Sequence, residues 1–258
     1  MSKNILLAAA LTLVLLPLSV FAQGAHSTLS PTRTSNDTYR SPLTAPTYCN
    51  PCLFYGGDWD PTASNWVAYI NLNTTGLGQA TNYVPFQVPS GQTWTVSGGF
   101  SNNLAVNIAK IDPANGDWSI VSGISEGVAG TTIASGKSRA TFTPTGRMFS
   151  NGSTTYIEYT VKVKFNPPVS LTAGTYWMSV VPECTNSSDS ACSSAEYFNT
   201  DSTSRTNAFG PPEPRNMTFA NWSLGGLNYT NVCNEGYPPP SCTTMSSGLI
   251  GLKMHGGN

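Results

Sequence analysis

Between Tyr156 and Val181 the chain reads YIEYTVKVKFNPPVSLTAGTYWMSVV, and the first ten residues alternate strictly. Ile157, Tyr159, Val161, Val163 and Phe165 fall on one side, and Tyr156, Glu158, Thr160, Lys162 and Lys164 on the other. Successive strand side chains leave on opposite faces, so this is one strand with an apolar inner face and a charged, wet outer face. Asn166-Pro167-Pro168 is expected to stop it, because proline brings no N–H to a ladder. After a short Val169–Leu171 segment, Ala173-Gly174 marks a turn. Thr175–Val181 then reads as a fully buried strand that completes a central hairpin. A strand of this kind cannot stand alone, so the remaining chain must supply a sheet.

It does so in short runs separated by turn signals, the pattern of an all-β sandwich or barrel. Trp66–Leu72 alternates, with Trp66, Ala68, Ile70 and Leu72 on one side, and Tyr83–Val88 follows. Past the turn Pro89-Ser90-Gly91, Thr93–Val96 places Trp94 and Val96 inward. Leu104–Ile111 leads into Asp112-Pro113-Ala114-Asn115-Gly116, whose Asn-Gly chemistry predicts a hairpin onto Trp118–Val121. Thr131–Ala134 and Ala140–Thr143 are expected to pair across Ser135-Gly136-Lys137. Asn216–Leu224 and a closing strand Gly248–Met254 complete the set. No segment keeps an apolar period of 3.6, so no helix of consequence is expected.

Residues 1–22 read as a cleaved secretory signal: Lys3, the apolar run Ile5–Leu18 and the small-residue site Val20-Phe21-Ala22. Pro17 interrupts a run already short for a membrane span. Residues 23–47 are Ser/Thr/Pro-rich with little to bury and read as a flexible leader. The segment 48–258 is expected to fold as one antiparallel β-sandwich of jelly-roll type, exported and without a membrane span. Charged residues are 10% of the chain and the net charge is −1, which argues against electrostatic binding of nucleic acid or an anionic membrane.

Six cysteines in an exported chain point to disulfides. Proximity groups them as Cys49/Cys52, Cys184/Cys192 and Cys233/Cys242, three local loops each held by about 2–3 kcal/mol. Cys49-Asn50-Pro51-Cys52 lacks the second ligand pair a zinc site needs, so the disulfide reading is preferred. Histidine is limited to His26, in the leader, and His255, in the C-terminal tail, which removes most Ser-His-Asp and Cys-His arrangements. No cofactor is expected.

Carboxylates are the remaining catalytic candidates. Asp58-Trp59-Asp60 puts two acids on one side of an extended segment beside an aromatic. That string could serve as a calcium ligand pair, or as the acid/base couple of a glycoside-hydrolase-like site. A Gly/Asp/Pro turn with solvated acids is the commoner outcome and the one expected. Sugar rings stack on flat aromatics, and the residues expected outside or in loops are Trp59, Tyr69, Trp222 and Tyr237. Trp66, Trp94, Trp118 and Trp177 are expected in the core.

The series WSIVSGISEGVAGTTIASG (118–136), ATFTPTGR (140–147), YIEYTVKV (156–163) and LTAGTYWMSVVP (171–182), with VPSGQTWTVSGGFSNN (88–103) before it, carries a resemblance. These words resemble bacterial secreted β-sandwich proteins often seen with sorting tails of the PEP-CTERM kind, here without that tail. The resemblance spans roughly 83–182 and implies an extracellular sandwich with no catalytic motif to transfer. Three functions are therefore open: a non-catalytic extracellular module that binds a polysaccharide or cell-surface glycan, a carbohydrate-active hydrolase using Asp58 or Asp60, and a structural, self-associating exported protein. The first is expected.

Overall fold

The computed structural model describes residues 49–60, 68–74, 78–105, 115–150, 154–184, 197–200, 202, 206–211, 214, 217–222, 226–234 and 245–255. The expected signal, the leader and Trp66 lie outside them. The chain is nearly all β. In order, the strands are β1 (Cys52–Tyr55), β2 (Ala68–Ile70), β3 (Leu72–Thr74), β4 (Gly78–Val88), β5 (Gln92–Ala105), β6 (Gly116–Ser122), β7 (Thr131–Ser138), β8 (Ala140–Ser150), β9 (Thr155–Leu171), β10 (Gly174–Cys184), β11 (Tyr197–Thr200), β12 (Phe219–Trp222), β13 (Leu227–Asn231) and β14 (Ser247–His255). A single 3-10 turn, Val232–Asn234, is the one helical piece among the described residues.

The strands form two seven-stranded sheets. In the first, β8 pairs β9 and β9 pairs β5. The other edge of β5 is shared by β14, which carries β1, and by β11, which carries β2. In the second, β13, β12 and β4 run side by side. The far edge of β4 is shared by β3 and β10, and β10 continues to β6 and β7. All ladders are antiparallel except the short one between β3 and β10. One apolar cluster takes Trp94, Val96, Val161, Val163 and Phe165 from the first sheet and Val84, Phe86, Ile120, Met178 and Val180 from the second. The ring of Trp118 stacks on that of Phe165 across this core, centroids 4.0 Å apart. Inward Trp94 and Val96, buried Trp177–Val181 and a last strand over Gly248–Met254 are as the sequence predicts; that last strand pairs with β5.

The strand neighbours differ from the expected ones. Asn166-Pro167-Pro168 does not stop β9. The β9–β5 ladder slips there, from Lys164 opposite Gly98 to Val169 opposite Val96, and a bulge takes the prolines off the ladder, so no N–H is missed. The expected central hairpin is instead a crossing, because β9 belongs to the first sheet and β10 to the second. Ser135-Gly136-Lys137 is not a turn but the middle of β7, paired with β6. Gly136 faces Trp118, whose indole would lie 3.0 Å from an added Cβ. Trp118–Val121 has both edges taken, by β7 and β10, so the expected hairpin onto the preceding strand is absent; residues 106–114 lie outside those described.

The run Trp66–Leu72 also divides. It breaks at Asn71, leaving β2 in the first sheet and β3 in the second. The buried Asn71 amide donates to the Val180 carbonyl at 2.9 Å and to Asn103 Oδ1 at 3.0 Å, and the Ser101 hydroxyl reaches the same carbonyl at 2.8 Å. That carbonyl sits where the β10–β4 ladder has ended and the β10–β3 ladder has not begun. A buried carbonyl needs a partner, and the two side chains supply it between the sheets.

Candidate functional site

The charged face of β9 is wet along only half its length. Lys162 and Lys164 are accessible, but Tyr156, Glu158 and Thr160 on the same face are buried. This corrects the expectation that Glu158 is solvated. The cover is the chain after β1, Gly56–Asp60, locked to 206–211 and to β14. Tyr55 and Phe209 exchange backbone hydrogen bonds, the Asp58 N–H donates to the Thr206 carbonyl at 2.7 Å, and the Gly56 N–H donates to the Ser247 carbonyl at 3.0 Å.

Beneath the cover lies Arg147. In β8 the residues Thr145, Gly146 and Arg147 bulge opposite Glu158, with Gly146 at φ +88°, a conformation glycine adopts without steric cost. The bulge turns the Arg147 side chain, fully buried, against two carboxylates: Nη1 is 2.9 Å from Asp58, and Nε donates to Glu158. The surplus negative charge is spread over neutral donors. Asp58 accepts from Tyr55 OH and Asn207 Nδ2, each at 2.6 Å, and Glu158 accepts from Thr145 at 2.6 Å and Thr200 at 2.7 Å. Such a centre is held because each charge in it is paired and hydrogen-bonded.

This arrangement decides the fate of most residues singled out in the sequence. Asp58 is a buried counter-ion, 3% exposed, not a solvated turn acid and not an open ligand, while Asp60 is half-buried. Trp59, expected as a stacking platform, is wholly buried. Trp222 is half-buried and packs against the main core. Tyr69 sits in β2, with only its backbone described, and Tyr237 lies outside the described residues. Cys49 and Cys52 form a disulfide that packs on a small cluster of Tyr55, Phe100 and Ile250. Cys184 is disulfide-bonded, whereas Cys233 is a reduced cysteine and not half of the expected Cys233/Cys242 bridge; Cys192 and Cys242 lie outside the described residues.

The open face belongs to the second sheet. On β10, Met178 and Val180 point to the core, so Trp177, Ser179 and Val181 point away from it. The register places Ser179 beside Ser119 of β6, and Ser119 beside Ser135 of β7. The hydroxyls of Ser119 and Ser179 are 2.8 Å apart. Together with Asn73, Gln79, Tyr83 and Asp117 they line a hollow of about 340 Å³. Asn73 Nδ2 donates to Asp117 Oδ2, which fixes the carboxylate at its rim.

Next to this floor stands an aromatic wall. Trp177, Phe219, Val121 and Ile124 form an outer apolar cluster against which Tyr83, Met217 and Tyr229 pack. Trp177 Nε1 donates to the Met217 carbonyl at 2.7 Å, and the Tyr83 and Tyr229 rings lie 5.5 Å apart. Tyr229 has φ 49°, an uncommon backbone conformation for a bulky residue, and one that marks places where the surroundings dictate side-chain aim. Burial first, and then the neighbouring Tyr229, push the Tyr83 phenol well above its ordinary range, so its hydroxyl is a neutral donor and acceptor, bonded to Tyr229 and Ser119. A floor of hydroxyl, amide and carboxylate groups beside aromatic rings suits a polyhydroxylated ligand, with hydrogen bonds from one side and ring stacking from the other.

Sequence reasoning did not single out Tyr83, Asp117, Ser119 or Ser179. The alternation of Asp117 with Trp118 and of Tyr83 with Val84 marks each as outward, but their meeting depends on β4, β10 and β6 being neighbours. No protein-family model and no curated protein matches the chain.

Proposed function

We propose that the chain is an exported, non-catalytic glycan-binding module built as a jelly-roll-like β-sandwich, with its binding surface on the outer face of the second sheet. The observation that carries this is the hollow of Tyr83, Asp117, Ser119 and Ser179 beside the Tyr83–Tyr229 ring pair. Two sheets sharing one apolar core support the sandwich. The signal-like residues 1–22 and the Cys49–Cys52 disulfide support export to an oxidising compartment. In the same reading, Cys184, which is disulfide-bonded, closes a further local bridge with Cys192.

Binding is preferred to hydrolysis because five carboxylates among the described residues are engaged by protein partners. Asp58 and Glu158 hold Arg147, Asp117 holds Asn73, Glu183 holds Lys137, and Glu126 accepts from the Asn231 N–H at 2.9 Å. A hydrolytic couple needs two carboxyl groups facing one another across a cleft.

The test incubates the chain from Gln23 onward with insoluble cellulose, chitin, mannan and β-1,3-glucan. Protein depletion and release of soluble sugar are read in the same tube. The expected result is depletion on at least one neutral polysaccharide without sugar release, with Tyr83→Ala and Asp117→Ala each weakening binding about tenfold or more, as for central contacts. Depletion untouched by both variants, sugar release, or no depletion on any of the four would overturn the proposal.

A further inference from the structure

Where the cover over β9 ends, the first sheet's outer face opens into a groove of about 810 Å³. Lys162 and Lys164 of β9 line it, together with Lys137 and Arg139 from the crossing between β7 and β8, and Ser97 and Asn166 at the β5–β9 bulge. No Asp or Glu is among its lining residues. Lys137 is paired with Glu183 at the rim. The groove nevertheless gathers four cations in a chain whose 12 Lys and Arg are outnumbered by its 13 acids. The clustering is invisible in the sequence, because a β-bulge and a sheet crossing bring the two pairs together.

Lys162 and Lys164 are alternate residues of one strand, so their stems leave the same face roughly 6–7 Å apart. Partial burial, and then the charge of Lys164, depress the Lys162 ammonium below its ordinary value. Like charges held together in this way are relieved by a bound anion. The groove, at about 810 Å³, is far larger than a single inorganic anion needs. The one aromatic among its lining residues, Phe165, is 3% exposed and packed into the core. It therefore offers no platform for nucleic-acid bases, which single-strand binders require. Lysines act as point charges for anionic groups spaced along a ligand.

We propose that this groove is a second binding site, separate from the hollow on the other sheet, for a linear polysaccharide that carries carboxylate or sulfate groups. The site goes beyond the neutral-glycan reading and does not depend on it. Oligogalacturonate supplies the carboxylate arm of the test, a heparin oligosaccharide the sulfate arm, and cello-oligosaccharide and single-stranded DNA are the comparisons. Binding is followed by calorimetry from low to moderate salt.

The expected result is that one or both acidic oligosaccharides bind more tightly than DNA of equal charge, with affinity falling steeply as salt rises. Lys162→Gln with Lys164→Gln should weaken binding about tenfold or more, while Lys162→Arg with Lys164→Arg retains it and Tyr83→Ala leaves it unchanged. A second readout does not depend on variants that fold: a bound acidic oligosaccharide should shield Lys162 and Lys164 from acetylation. The proposal is overturned by no binding of either acidic chain, by binding and acetylation indifferent to these lysines, by DNA binding at least as tightly, or by loss of binding in Tyr83→Ala. Failure here with cellulose or chitin depletion intact removes only the second site.

Discussion

Arg147, Glu158, Thr160 and Thr200 lie on the outer side of the first sheet under a cover that supplies Asp58, while Tyr83, Asp117, Ser119 and Ser179 lie on the outer side of the second around an open hollow. Both groups contain carboxylates and hydroxyls, and both are set by strand register. The difference is saturation. Around Arg147 each carboxylate accepts from several protein donors, so what those side chains can do they already do for one another. The region is a clasp that fixes the chain after β1 to the sheet. Around Ser119 and Ser179 the hydroxyls meet one another and, at Ser119, the Tyr83 hydroxyl, and a hydroxyl has two lone pairs, so Ser179 keeps acceptor capacity for a ligand. Residue types that suggest chemistry therefore mark a site only where the fold leaves them unspent.

Breaking the clasp gives the largest effect. Arg147→Met leaves Asp58 and Glu158 buried without their cation, and removing one partner of a buried ion pair costs about 3–5 kcal/mol. Denaturant unfolding of this variant should show that loss, while any protein that remains folded should still bind neutral polysaccharide through the second sheet. Unchanged stability would mean that the carboxylates are solvated and the contrast between the faces is false. A smaller loss is expected for Glu158→Gln, which keeps the shape but turns an N–H₂ group toward Arg147, Thr145 or Thr200. About 1–3 kcal/mol is the cost of a buried polar group left mispaired, again measurable from the denaturant midpoint.

Many strands were legible because a period of two needs only neighbouring residues: inward Trp94 and Val96, buried Trp177–Val181 and the expected Gly248–Met254 fall within β5, β10 and β14, while the short β1, β11 and β13 carry no such pattern. Their partners were not. Ser135-Gly136-Lys137 has turn chemistry, yet Gly136 is there to make room for the Trp118 ring, a neighbour that only the sheet order supplies. The string Asp58-Trp59-Asp60 reads identically whether open or buried, and the segment 206–211 to which it is locked lies far along the chain. Arg147 drew no notice at the end of an alternating run because the bulge that turns it inward answers to Glu158 on the next strand. Local patterns thus reached the elements and stopped short of both polar centres, each of which joins three or more strands.

Tyr83 sharpens the comparison through pH. Its phenol is raised by burial and by Tyr229, so the folded state keeps a proton that the unfolded chain releases near pH 10, to within about a unit. The stability contributed is complete below that pH and is lost as pH rises above it. The wild type should therefore lose stability more steeply than Tyr83→Phe between about pH 10 and 11, as followed by thermal unfolding at each pH. Parallel profiles would place the Tyr83 hydroxyl in free solvent and dissolve the aromatic wall as a fixed element.

The smallest effect on stability is expected where the proposed effect on binding is large. Ser119→Ala with Ser179→Ala removes both members of a mutual hydrogen bond, and the Tyr83 hydroxyl keeps Tyr229. Removing both partners is close to neutral, within about 0.5 kcal/mol. The same double variant takes the hydroxyl floor from the hollow and should weaken depletion on the neutral polysaccharide. Thermal unfolding and depletion measured side by side separate the two faces: the clasp variant loses stability and keeps its binding surface, and the hollow variant keeps stability and loses binding. A double variant that unfolds like Arg147→Met would show that the hollow is a second clasp, its hydroxyls bound into the fold no less than those around the buried arginine.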